Sequence, residues 1–131
     1  MAYYKTLQGG PSHSDTLILG AASEILRFGS TGAVTPAGTD HTNGGTLVYT
    51  VNVVTGADGT KGVVLPVPAA AGQIAIVYSA TATNALKVYP GLAGTINGGS
   101  ANASVSIEGK TAAICVSTDT ANWAVVFTAN T

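Results

Sequence analysis

The stretch Thr46-Leu47-Val48-Tyr49-Thr50-Val51-Asn52-Val53 decides the fold class. Leu47, Tyr49, Val51 and Val53 alternate with Thr46, Val48, Thr50 and Asn52. That period of two is the mark of a half-buried strand. The same grammar repeats downstream. Gly56-Ala57-Asp58-Gly59 reads as a turn, and Gly62 to Leu65 as a short apolar strand stopped by Pro66 and Pro68. Ala69-Ala70-Ala71-Gly72 leads into Gln73 to Ser79, where Ile74, Ile76 and Tyr78 share one face. Leu86 and Val88 form the core face of the next strand, which ends at Pro90-Gly91. Ile96 precedes an Asn97-Gly98-Gly99 turn. Ala103, Val105 and Ile107 alternate with Ser104, Ser106 and Glu108, and Glu108-Gly109 signals a tight hairpin. Thr111 to Val116 and Trp123 to Phe127 close the chain around the polar loop 117–122. About seven strands at this spacing predict an all-β fold, an antiparallel β-sandwich or a jelly-roll-like barrel. No internal repeat stands out.

Residues 1–45 read differently. Gly9-Gly10-Pro11, Gly20, Gly29, Gly32, Pro36, Gly38 and Gly44-Gly45 break them into short apolar pieces, Leu17 to Leu19 and Ile25 to Phe28. Leu17, Ile18, Ala21, Ala22, Ile25 and Leu26 could also form one helical face, but Gly20 inside it costs about 1 kcal/mol against Ala. The favoured reading is an extended N-terminal arm with short strands over 1–45 and a sandwich core over 46–131. Such an arm can order on a partner. Its candidate contacts are Tyr3, Tyr4, Leu17, Leu19, Ile25 and Phe28.

Composition supports the β reading. Of 131 residues, 14 are Val and 18 are Thr, whose branched Cβ suits a pleated surface. One domain of this length can bury a real core. Charge is the unusual feature: 8% of residues are charged, against about a quarter in an average domain. The formal net charge is -1, so little repulsion holds copies apart. Few charges are left to guard sheet edges, which points to edges closed, covered or paired with another chain. This favours an obligate oligomer over a sparingly soluble monomer.

The same numbers narrow the partners. Five scattered basic residues make no nucleic-acid footprint. No apolar run approaches the roughly 18 residues of a membrane-spanning helix. Residues 1–11 lack the basic-then-apolar pattern of a signal peptide. With Cys115 the one cysteine, no internal disulfide can form, and synthesis in a reducing cytoplasm is expected.

Little in the chain suggests chemistry. The titratable candidates Asp15, Glu24, Asp40, Asp58, Glu108, Asp119, His13 and His41 fall mostly at turns. There is no Gly-x-Ser-x-Gly elbow, phosphate loop or His-Glu-x-x-His. His13 with Asp15, and Asp40 with His41, could supply metal ligands, but solvated loop polars explain them better. Cys115 could be a nucleophile; an inert buried thiol is the better reading. Tyr78, Tyr89 and Trp123 could form a sugar-stacking platform, although Trp123 opens an apolar strand and suits a core or interface role. Asn102-Ala103-Ser104 matches a glycosylation acceptor, which carries no meaning without secretion. No enzyme, cofactor or metal site is expected.

From Val63 to Trp123 the punctuation forms a recognisable series. It runs Leu65-Pro66, Ala71-Gly72, Ile74 to Ser79, Val88-Tyr89-Pro90, Ile96-Asn97-Gly98, Ala103 to Ile107, Gly109-Lys110 and Asn122-Trp123, with Thr35-Pro36-Ala37-Gly38 upstream. This series resembles small phage virion proteins: head-decoration, cement and head-fibre modules. The resemblance covers about half the chain, and its motifs are turns and core residues that specify fold better than role. It implies an all-β module assembled as a homotrimer on the outer capsid, bound to the major capsid protein and made in the host bacterial cytoplasm. Residues 1–34 fall outside it and would set the attachment point. A fibre module that binds host surface glycans is the alternative. Pro66, Pro90, Asn97, Gly98 and Trp123 are the expected fold-defining residues: the prolines remove donors where strands stop, and Asn97-Gly98 tolerates positive φ.

Overall fold

The computed structural model describes residues 28–129. Nine strands carry the fold: β1 Ser30–Val34, β2 Gly45–Thr46, β3 Val51–Val54, β4 Gly62–Val64, β5 Ile74–Ser79, β6 Leu86–Tyr89, β7 Val105–Ile107, β8 Ala112–Ser117 and β9 Trp123–Phe127. There is no helix among the described residues. The strands form a five-stranded sheet, β1-β3-β5-β8-β9, and a four-stranded sheet, β2-β4-β6-β7.

Both sheets are mixed, which corrects the antiparallel expectation. The pairs β1·β3, β3·β5, β2·β4 and β4·β6 are parallel. The pairs β5·β8, β6·β7 and β8·β9 are antiparallel. The cause lies in the path. Parallel neighbours need a long crossover, usually a helix. Here the crossover is a strand of the other sheet. From β1 to β6 the chain alternates between sheets at every step, so it winds through three two-strand turns, each laid in parallel on the last. The turns are built from a repeat. Asp40-x-Thr42-x-Gly44-x-x-Leu47 recurs as Asp58-x-Thr60-x-Gly62-x-x-Leu65, at the same offset as the Gly45↔Val63 register. Leu47 and Leu65 are both buried, and their N–H groups donate to Val64 O and Tyr89 O, each one turn on.

The stretch expected as one strand over 46–53 is two elements. Thr46 ends β2 in one sheet and Val51 opens β3 in the other, with a bend at Tyr49-Thr50. Leu47 is buried as its place in the alternation predicts, but Tyr49 is exposed, and Asn52 and Val54 rather than Val51 and Val53 set the inward face of β3. Glu108-Gly109 is likewise no hairpin, because β7 and β8 belong to different sheets. The Asn97-Gly98 turn forms with φ of 52° and 69°, closed by Gly99 N–H donating to Ile96 O, but it joins no paired strands.

The core draws on both sheets. The four-stranded sheet supplies bulk: Val63, Leu86, Val88 and Ile107. The five-stranded sheet answers with smaller groups, Ala75, Val77, Ala113 and Cys115, together with Trp123. The larger groups of one sheet and the smaller groups of the other belong to one buried cluster. Leu86 and Val88 point inward as their spacing predicts. Pro90 is buried directly after β6, and Pro66 is exposed just beyond β4.

Candidate functional site

The described titratable groups that sequence reading raised for chemistry are largely occupied by the fold. Asp40 Oδ1 accepts the N–H groups of Thr42 and Asn43 at 2.8 and 2.9 Å. Asp58 Oδ1 accepts those of Thr60 and Lys61 at 2.9 and 2.8 Å, and Asp119 Oδ1 those of Ala121 and Asn122 at 2.7 and 2.8 Å. Each carboxylate thus stands in for a backbone carbonyl in a turn. Hydrogen bonds hold all three below the usual carboxylate range, led by Thr42 for Asp40, the Lys61 N–H for Asp58 and the Asn122 side chain for Asp119. Among the described residues no group of His, Cys, Asp and Glu is assembled to hold a metal. His13, Asp15 and Glu24 lie outside the described residues.

Cys115 points into the core from β8, and burial pushes its thiol up to about 12. The thiolate that nucleophilic chemistry needs is therefore scarce at neutral pH. The sugar-stacking platform is not formed by the residues proposed for it. Trp123 is 2% exposed, and Tyr89 is buried with its hydroxyl donating to Thr39 O. Only Tyr78 keeps a partly open ring. The reason is position: Trp123 falls on the inward side of β9, and Tyr89 lies beneath the 38–39 loop.

Of the candidate partner contacts, Phe28 is exposed; Tyr3, Tyr4, Leu17, Leu19 and Ile25 lie outside the described residues. Asn97 does more than turn the chain. Its side-chain amide donates to Val125 O at 3.1 Å and accepts Val125 N–H at 2.8 Å. It thereby acts as a one-residue strand along the outer edge of β9, beside the Ile96↔Trp123 bridge.

The feature that sequence reading missed is the outward face of the five-stranded sheet. A sheet with one solvated face alternates apolar-in with polar-out. Here the polar strand residues Asn52, Ser79 and Ser117 point inward. Val51 and Val53 of β3, Ile74, Ile76 and Tyr78 of β5, Ala112, Ile114 and Val116 of β8, and Ala124 and Val126 of β9 point outward. Cross-strand register joins them: Val51↔Ile76↔Ile114↔Val126 runs straight across four strands. Ile74, Ile114, Val116 and Val126 are 48%, 44%, 37% and 67% exposed. None of the five strands contains a charged residue. The four-stranded sheet contrasts, with Lys87 and Ser106 paired on its outer side. The signal was present in the sequence, since Ile74, Ile76 and Tyr78 share a face and Ile114 and Val116 alternate with small residues. Periodicity alone does not say which face is wet.

A cleft of about 410 Å³ opens beside this face, lined by Leu47, Tyr49, Pro66, Gln73, Ile74 and Trp123 among others. Neither the known family models nor the curated proteins compared with the chain match it.

Proposed function

We propose that this chain is a structural virion protein that decorates and stabilises a bacteriophage capsid, binding the major capsid protein as a homotrimer. The observation that carries the reading is the uncharged apolar face on a rigid two-sheet scaffold, in which the described carboxylates at turns and the thiol serve the fold. An exposed apolar face of this kind is suited to assembly. The scaffold is read as a β-sandwich with an N-terminal arm, and the arm, with Tyr3, Tyr4, Leu17, Leu19, Ile25 and Phe28, reaches the capsid. The action is binding by area and by multivalency, with no catalytic turnover, cofactor or metal. The test is co-sedimentation with empty shells of the major capsid protein from the same genome. Saturable binding that is lost on deleting residues 1–27 supports the reading, and no pelleting with shells sinks it.

A second reading, a head or tail fibre module for host surface glycans, draws support from the cleft beside Tyr49 rather than from a stacking platform. Its volume falls within the range of small-ligand sites. A glycan that shifts Trp123 fluorescence, with the shift lost in Tyr49→Ala, would favour it.

A further inference from the structure

We infer that copies of this chain meet one another through the outward face of the five-stranded sheet, with Ile74, Ile114, Val116 and Val126 at the centre of the contact. The inference rests on the oligomeric reading above and assigns it a surface. Three observations select a second copy as the occupant. The first is charge. The five strands carry no charged residue, so identical faces bring no like charges together. A partner recognised by charge would find nothing there to read. The second is area. Five strands about 4.8 Å apart, with residues rising about 3.4 Å each, present a face on the order of 400 Å². One partner in a standard interface gives about 800 Å², so the face can supply the dry centre and the flanking loops the polar rim. The third is the state of the neighbouring edge. Copies could instead join by extending the sheet past β9, but Asn97 already occupies the Val125 backbone groups that such a strand would need. Packing of the apolar faces against one another remains open to neighbouring copies, at the roughly 10 Å spacing of stacked sheets.

The face also explains the inverted distribution of side chains. Ile74, Ile76, Ile114 and Val116 are larger than the inward Ala75, Ala113, Cys115 and Ser117 on the same strands. A monomer would gain by the opposite arrangement, because apolar area left in water forfeits about 25 cal/mol per Å².

The test is light scattering after gel filtration, over a dilution series, on the full chain and on Ile114→Lys/Val126→Lys. These two residues are cross-strand partners with outward side chains, so the lysines do not enter the core. The expected result is a wild-type mass that is a multiple of the 12.9 kDa chain, falling to a single chain in the double variant with an unchanged circular dichroism spectrum. Leu92→Lys, at an exposed residue outside the five-stranded sheet, keeps the wild-type mass. Should the lysine variant fail to fold, Ile114→Thr/Val126→Thr keeps the strand preference and is expected to weaken association at least tenfold. A wild type that is a single chain at every concentration overturns the inference, as does a folded double variant of unchanged mass. Capsid co-sedimentation of the same proteins separates the two proposals. Loss of capsid binding by an intact oligomer counts against the virion role alone. A monomeric wild type whose capsid binding is abolished by the lysines gives the face to the capsid instead.

Discussion

Asp40 and Asp58 hold the same place on successive turns of the chain, and each accepts the N–H groups two and three residues ahead of it. Their spacing equals the register offset between β2 and β4, so the two turns are stacked copies of one device. Asp58→Ala removes an acceptor from three donors, Thr60 N–H, Thr60 Oγ1 and Lys61 N–H. The expected outcome is a Tm lowered by a few degrees. Asp58→Asn, which retains an acceptor oxygen in the same turn but no charge, recovers part of it. Differential scanning calorimetry reads both.

The same carboxylates set an acid limit. Asp40, Asp58 and Asp119 have folded-state pKa values below their unfolded ones. A depressed pKa contributes stability that is complete above the unfolded value, near 3.9, and is lost as pH falls through the folded value. Tm is therefore expected to hold from neutrality to about pH 4.5 and to decline below pH 4. The gap between wild type and Asp58→Ala should narrow over the same acid range. A gap that persists unchanged at pH 2 would show that charge plays no part in the turn.

Gly62 lies where the next turn of chain approaches. A Cβ there would sit 2.6 Å from Tyr89 Cε2 and 2.7 Å from Lys87 O. The ring could shift, but the strand carbonyl cannot without breaking the ladder. Gly62→Ala is expected to cost about 1–3 kcal/mol in urea unfolding, as for overpacked cores.

Much of this was legible in the sequence, and the failures share a physical cause. Leu86 and Val88 were readable as core because Lys87 between them marks the wet side. Ile74 to Ser79 carried no such mark: both faces are apolar, so alternation gave the strand but not its phase. Gly and Pro show where a chain bends, as at Glu108-Gly109, but not whether the next strand pairs with the last. The parallel winding stayed hidden because only Asp, Thr, Gly and Leu are shared between turns. The third turn, at Thr83-Asn84-Ala85, has already lost that pattern. The Asp40 and Asp58 series, compared at equal spacing, was the available clue.

Asn97 gives a sharper test of β9. Asn97→Gly keeps the positive φ of the turn while deleting both bonds to the Val125 backbone. At about 0.5–1.5 kcal/mol per net bond, a loss of roughly 1–3 kcal/mol is expected. Amide exchange at Val125 should rise well beyond that at Cys115, its partner on β8.

Trp123 and Cys115 report on the interior. Trp123, the only tryptophan, should emit at short wavelength, resist acrylamide quenching and shift red in a single step with urea. Cys115 should react with a thiol reagent no faster than the protein opens. Trp123→Ala is expected to cost about 3–5 kcal/mol. Rapid labelling of the native thiol would contradict its placement in the core.

The winding from β1 to β6 also bears on how the protein could change in length. Each turn touches chiefly the turn before and after it, and β7 and β8 close one end by running antiparallel to the last turn, with β9 antiparallel to β8 beyond them. In such a quasi-linear design, inserting or deleting one whole turn leaves both ends chemically unaltered. Height then varies in steps of about 4.8 Å, the spacing between paired strands. Evolution or an engineer could adjust the reach of the protein by copying a single Asp-to-Leu unit with its partner strand, without redesigning the closure.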